Sequence, residues 1–255
     1  MKKQIDLIKQ EFEQACIDEL KNLISKYAQD ERNGVQKILQ KAENKILKYN
    51  QEIERLNNML KIENEAYAKG KKRIAGLDEV GRGPLAGPVV TASVILPKDI
   101  IIFGINDSKK LSKEKRESIF EEIKEKALEL TVSMSDNITI DRVNILEATK
   151  ICMLKNIESF KEKPDFLIVD AVKLDTDIEF YSIPKADSLS QSVAAASIVA
   201  KVTRDAYMDK MHEIYPQYGF NNHKGYGTPE HIKAILKYGP CPIHRKTFIK
   251  NIALI

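Results

Sequence analysis

Two adjacent acids, Asp78 and Glu79, close an apolar run and lead straight into Gly81-Arg82-Gly83-Pro84-Leu85-Ala86-Gly87-Pro88. A short apolar run bounded by glycine and proline reads as a buried β-strand followed by a loop. Neighbouring side chains on a strand point to opposite faces, so the two carboxylates meet only if the strand ends there or a ligand bridges them. A divalent cation is the obvious bridge, and the chain reads first as an α/β protein with an acidic centre at a strand end.

The chain has 255 residues, 43% of them hydrophobic, which suits one catalytic-sized domain plus an appendage. No run of about 18 apolar residues occurs and the first residues are charged, so neither membrane insertion nor export is expected, and a cytoplasmic monomer is the default reading. Cys16, Cys152 and Cys241 are odd in number and widely spaced, and they read as reduced and structural. A net charge of +4 permits nucleic-acid binding without arguing for it.

The grammar changes at Gly70, because all 9 prolines lie beyond it and Gly34 is the only earlier glycine. Upstream, apolar residues recur every three or four positions at Ile5, Ile8, Phe12, Cys16, Leu20, Leu23 and Tyr27, then from Val35 through Ala42 and Tyr49 to Leu60. That spacing predicts two amphipathic helices folded as a hairpin over 1–69, followed by a catalytic domain over 70–255 with a helical C-terminal portion. The hairpin reads as a stabilising or docking appendage whose partner the sequence leaves unknown, or as an arm that grips nucleic acid. Lys and Arg number 13 against 12 acids in residues 1–70, so it shows no bulk preference for phosphate. Downstream, strands are predicted at 73–80, 89–96, 131–137, 166–170 and 179–183, and helices at 113–129, 140–161, 189–212 and 228–238. The first two strands should pair antiparallel and the later ones parallel, giving a mixed sheet.

Asp170 closes the run Phe166-Leu167-Ile168-Val169, and Asp187 follows another strand, so both repeat the layout of Asp78. Each acid alone also fits a strand-end turn or a helix cap. Taken together with Glu79, they form a carboxylate cluster on one rim of a sheet, which calls for Mg²⁺ or Mn²⁺ and fits two-metal phosphodiester cleavage. Around it, Gly81, Arg82 and Gly83 could grip a sugar and phosphate. Asn106, Ser108 and Lys109 offer a phosphate cradle or an ordinary helix entry, and Lys201 or Arg204 could reach phosphates, although Arg204 and Asp205 read equally well as a structural pair. Tyr226 stands between glycines, either to stack on a sugar or base or to fill a turn. The four histidines lack metal-ligand spacing and read as structural.

These segments, in this order, resemble ribonuclease HII, the type 2 ribonuclease H. The resemblance spans about residues 71 to 250 and rests on Asp78-Glu79-Val80-Gly81-Arg82-Gly83-Pro84, Asp107-Ser108-Lys109, the strand ending at Asp170, Lys185 to Asp187, Ala194-Ala195-Ala196-Ser197, Ala200 to Asp205, Lys224-Gly225-Tyr226 and His244-Arg245. It implies an RNase H-like fold with a mixed five-stranded sheet, and Asp78, Glu79, Asp170 and Asp187 as catalytic ligands of Mg²⁺ or Mn²⁺. It also implies cleavage of RNA in RNA–DNA hybrids and 5′ of a single ribonucleotide in duplex DNA, leaving 3′-hydroxyl and 5′-phosphate ends, as in ribonucleotide removal and primer processing. Gly81, Arg82 and Gly83 would sense the 2′-hydroxyl and Tyr226 would stack on the sugar after the junction. Lys185, Ser197 and Lys224 lie in the same motifs and are expected to face nucleic acid. The family usually has Gly in place of Ala186 and often Lys in place of Leu189. The related ribonuclease HIII differs in its loop and N-terminal domain, so Gly81-Arg82-Gly83 and the helical arm argue against it. Retention of all four acids argues against a catalytically silent binding protein.

Overall fold

The computed structural model describes residues 3–253 and divides into two compact units, Met1–Asn57 and Asn58–Ile255. The second unit starts 12 residues before Gly70.

The first unit holds α1 (Ile5–Gln14), α2 (Ile17–Tyr27) and all but the last residue of α3 (Asn33–Asn58). The predicted first helix is therefore broken. Ala15 is extended, and the backbone N–H of Cys16 donates to the Glu19 carboxylate at 2.8 Å, restarting the helix as α2. Of the predicted stripe, Ile8, Phe12, Leu20, Val35 and Ala42 are buried together, joined by Leu39 where Ile38 is expected, while Ile5, Cys16 and Tyr49 are exposed.

The second unit opens with α4 (Lys61–Ala68) and continues through β1 (Ile74–Val80), β2 (Val89–Ile95), α5 (Lys113–Lys126), β3 (Glu129–Ser135), α6 (Asn137–Val143), α7 (Ile145–Glu158), β4 (Phe166–Asp170) and β5 (Phe180–Ile183). It ends with α8 (Gln191–Ile214), α9 (Phe220–His223), α10 (Pro229–Tyr238) and α11 (Lys246–Ala253). The single predicted helix at 140–161 is two, because Asn144 sits at φ 69° and its side chain accepts from Leu146 and Glu147 N–H groups, capping α7.

The five strands form one mixed sheet in the order β3-β2-β1-β4-β5, with β1 antiparallel to β2 and parallel to β4. Alternation along β1 assigns its two faces. Ala75 and Leu77 pack with Met153 and Ile157 of α7, whereas a Cβ on Gly76 would collide with the backbone of Ser192 and Val193. The α8 helix therefore lies unusually close to the sheet, and its Ala194-Ala195-Ala196-Ser197 stretch is fully or almost fully buried there.

The early start of this unit has a polar cause. Glu63 on α4 is only 3% exposed, and its carboxylate accepts from Ser190 Oγ at 2.6 Å and Ser192 N–H at 3.1 Å, at the first turn of α8. The N–H of Gln191 donates to the Met59 carbonyl at 3.0 Å. Residues 58–69 thus cap a helix of the sheet domain.

Candidate active site

Parallel pairing of β1 and β4 ends with Leu77 opposite Val169, so the next step brings Asp78 alongside Asp170 on neighbouring strands, roughly 4.8 Å apart in backbone spacing. Asp78 lies two residues beyond Gly76 and shares the α8 face, where the nearby Ser197 hydroxyl draws its carboxyl down against burial and the Glu79 N–H donates to it at 2.7 Å. Asp170 pairs with Ile183 of β5, after which Lys185 turns the chain at φ 61° into a short 3₁₀ segment, Ala186–Ser188. The N–H of Ala186 donates to Asp170 at 3.2 Å, which ties the segment bearing Asp187 to the end of β4.

These carboxyls share one electrostatic field. Burial pushes Asp78 well above the usual carboxylate range, and the charges of Glu79 and Asp170 push the same way. Glu79 is raised by burial and by Asp170, against the pull of Arg82, whose guanidinium stands 3.3 Å away, and of Lys109. Asp187 is raised by burial, then by Asp107 and Asp170. Burial alone would lower Lys109, but Asp107, Asp78 and Asp187 raise it, so this exposed lysine faces the cluster.

Asp107 was not among the sequence-predicted ligands. Its side chain caps the 3₁₀ turn Ser108–Lys110 by accepting from Lys109 N–H at 3.0 Å, and it faces Asp187. The one sequence signal for it was its place beside Ser108 and Lys109.

Among the described residues, no three His, Cys, Asp or Glu side chains stand in a ready-made metal-binding arrangement. The donor set nevertheless fits a hard cation, since it is all oxygen and mutually repelling, and Glu79 Oε2 is buried with no hydrogen-bond partner.

The structure sorts the other predicted contacts. Arg82, Gly83, Lys109 and Lys185 are exposed, Tyr226 is 42% exposed, and a Cβ on Gly83 would lie 3.8 Å from the Tyr226 ring. Asn106 is half-buried and accepts from Asp107 N–H. Ser108 and Ser197 are buried and hydrogen-bond each other at 3.0 Å, so they brace the cluster from behind. Lys201 is held at 2.7 Å by Asp205, which also pairs with Arg116, and Lys224 pairs with Asp209.

Arg204 overturns its sequence reading. It is 0% exposed, reaches no surface, and does not pair with Asp205. Its guanidinium donates to the carbonyls of Pro88 at 2.9 Å, Ala86 at 3.1 Å and Lys224 at 2.9 Å. Arg245 is equally buried and donates to the carbonyls of Gly87 at 3.0 Å, Arg82 at 2.8 Å and Gly81 at 2.6 Å. Two buried cations, neither within ion-pair distance of a carboxylate among the described residues, thus hold the inner carbonyls of the 81–88 loop and link it to the Tyr226 turn. Gly81 is required beneath them, because its φ is 91° and a Cβ there would collide with Arg204 Nε. Behind the same turn, buried His231 bonds the Tyr226 carbonyl at 2.9 Å and His244 at 3.0 Å, and His244 in turn meets Cys241.

A mixed sheet whose neighbouring strands end in acids beneath a glycine loop has the layout of an RNase H-like nuclease. Comparisons narrow that class. The ribonuclease HII family matches residues 75–251, and the ribonuclease HII N-terminal domain matches residues 4–67. Ribonuclease HII of Acetivibrio thermocellus is 54% identical over 218 residues, 85% of each chain, and that of Clostridioides difficile is 49% identical over 251 residues, 98% of each. The crystal structure of the ribonuclease H2 from Pyrococcus horikoshii OT3 superposes with a TM-score of 0.61 at 28% identity, covering 72% of this chain and 98% of that one. The chain belongs to the ribonuclease HII family, metal-dependent endonucleases of the ribonuclease H kind.

Proposed function

We propose that this chain cleaves the RNA strand of RNA–DNA hybrids and cuts 5′ of single ribonucleotides in duplex DNA, with Asp78, Glu79, Asp170 and Asp187 holding two Mg²⁺ or Mn²⁺ ions. The carrying observation is that Asp170, at the end of β4, acts on Asp78, Glu79 and Asp187 alike, each of which burial already raises. Such a cluster favours bound cations over bare charge. The ions would supply an activated water and neutralise charge at the leaving oxygen. The chain's own residues do the rest: Glu79 presents an unpartnered buried oxygen, the Glu79 N–H holds the Asp78 carboxylate, and the Ala186 N–H holds Asp170.

Substrate choice is assigned to the 81–88 loop. With its inner carbonyls engaged by Arg204 and Arg245, the exposed Arg82-Gly83 edge is free to meet a ribose, whose 2′-hydroxyl is what distinguishes RNA from DNA at a given sugar. Tyr226, exposed beside Gly83, offers its ring to the next sugar. Lys109 and Lys185 are the exposed cations available to flanking phosphates.

The test is a DNA duplex with one embedded ribonucleotide, incubated with and without Mg²⁺ and mapped to the nucleotide. A metal-dependent cut on the 5′ side is expected, and it should be lost in Asp78→Asn and Asp170→Asn with the fold intact. Near-normal turnover by both variants would refute the ligand assignment.

A further inference from the structure

The near-neutral charge of the N-terminal unit conceals a segregation. Lys37, Lys41, Lys45 and Lys48 fall on α3 at spacings of 4, 4 and 3 residues, and all four are exposed. At about 100° per residue they occupy a sector only about 80° wide, and at 1.5 Å rise they run for roughly 16 Å along the helix. The buried positions Val35, Leu39 and Ala42 fall outside that sector, with Ala42 about 60° from its edge. Glu43 falls outside the lysine sector, and Glu52, which falls within it, is taken by Arg55 at 2.7 Å. Among the described residues, none of the four lysines has a carboxylate within ion-pair distance, although acids elsewhere in the unit are paired, as Glu11 is with Lys3 and Lys26. Together with Lys9, which pairs with Glu13 at 3.7 Å, they rim a groove of about 840 Å³ whose floor is apolar, formed by Phe12, Leu20, Ile38 and Ala42.

Like charges at successive helical turns repel and slightly destabilise the helix, so a bare stripe of four is a cost without a ligand. The chemistry of the stripe selects that ligand. Lysine is depleted in protein–protein interfaces, whereas it is a principal phosphate contact, and the neutral donors Gln40 and Asn44 beside it also line the groove and suit phosphate oxygens.

We infer that this face of α3 is a second, sequence-independent binding surface for the phosphate backbone of a nucleic-acid duplex. The inference rests on the nuclease reading only in its choice of a duplex as the polyanion. The surface contributes affinity and no chemistry, since none of these lysines belongs to the acidic site.

The experiment uses the full chain and a 30-bp duplex made only of DNA, which binding can report without cleavage. Affinity is measured by fluorescence anisotropy across 50–300 mM KCl for wild type, for Lys37→Ala/Lys41→Ala/Lys45→Ala/Lys48→Ala, and for the matching four-arginine variant. Each phosphate contact contributes about 0.9 to the slope of log K against log salt. The alanine variant should therefore lose about 2–4 from the slope and bind roughly tenfold or more weakly at 100 mM, whereas the arginine variant keeps the wild-type slope. On a ribonucleotide-containing duplex the alanine variant should show raised KM and unchanged kcat. Equal slopes and affinities for wild type and the alanine variant would overturn the inference and leave the face to an acidic protein or to solvent. A wild-type enzyme that binds with the lysine-dependent slope yet cuts nothing would sink the nuclease reading instead.

Discussion

Removing residues 1–57 and removing residues 1–69 should give very different proteins. The first cut follows the boundary between the compact units, and the second also takes away α4 and the segment before it. The longer deletion orphans the Ser190 hydroxyl and the Ser192 N–H that Glu63 now satisfies, at about 1–3 kcal/mol. It also removes the burial of Met59, Leu60 and Ala66 and uncovers the cluster of Ile74, Phe166, Ile168 and Val193, at about 1.5–3 kcal/mol for each large side chain. Counting Met59 and Leu60 as the large side chains, the sum, about 4–9 kcal/mol, is comparable with the whole stability of a typical domain, about 5–15 kcal/mol. Urea unfolding followed by circular dichroism should place the longer deletion about 1.3–4.5 M below the shorter one, at a slope of about 2–3 kcal/mol/M. Should the longer deletion not fold at all, Glu63→Ala in the full chain should cost about 2 kcal/mol by the same assay. Equal midpoints for the two deletions, or an unaltered midpoint for Glu63→Ala, would refute the reasoning.

Arg245→Met leaves two buried loop carbonyls and one part-buried carbonyl without donors and should cost about 3 kcal/mol or more of stability; urea midpoints compared with wild type give the check. His231 and His244 are both held down to about 4, chiefly by burial, so the folded state refuses protons that the unfolded state accepts below about 6.5. Stability is therefore complete above pH 6.5 and falls as pH drops toward 4, and replacing both by Phe should flatten that fall in urea titrations at pH 7 and pH 5. Tyr226→Ala should reduce kcat/KM more on a single embedded ribonucleotide than on a uniform hybrid, and equal losses would count against a junction role.

Much of the sheet was legible from local signals. The run Phe166 to Val169 ended at Asp170 as its composition required, and β1, β2 and β5 fell within a residue of the apolar runs that announced them. β3 slid two residues toward the N-terminus because Asp136 is taken as the cap of α6, accepting from Thr139 N–H. What stayed hidden depended on partners distant in sequence. Glu63 looks like any solvated acid of an amphipathic helix until Ser190, 127 residues away, receives it. Arg204 and Arg245 carry the residue type expected at the surface, and only the folded loop shows the carbonyls that justify burying them. Asp107 came into the acidic site through the 3₁₀ turn it caps, a geometry without periodicity.

The sealed guanidiniums have one consequence for the enzyme in salt. Mobile ions gather around exposed lysines and cancel their pull within a Debye length, about 8 Å at physiological ionic strength, but they do not enter the protein interior. Positive charge lodged under the Gly81–Pro88 backbone is beyond their reach. The loop conformation that Arg204 and Arg245 set through backbone carbonyls should thus persist at ionic strengths that screen the exposed lysines.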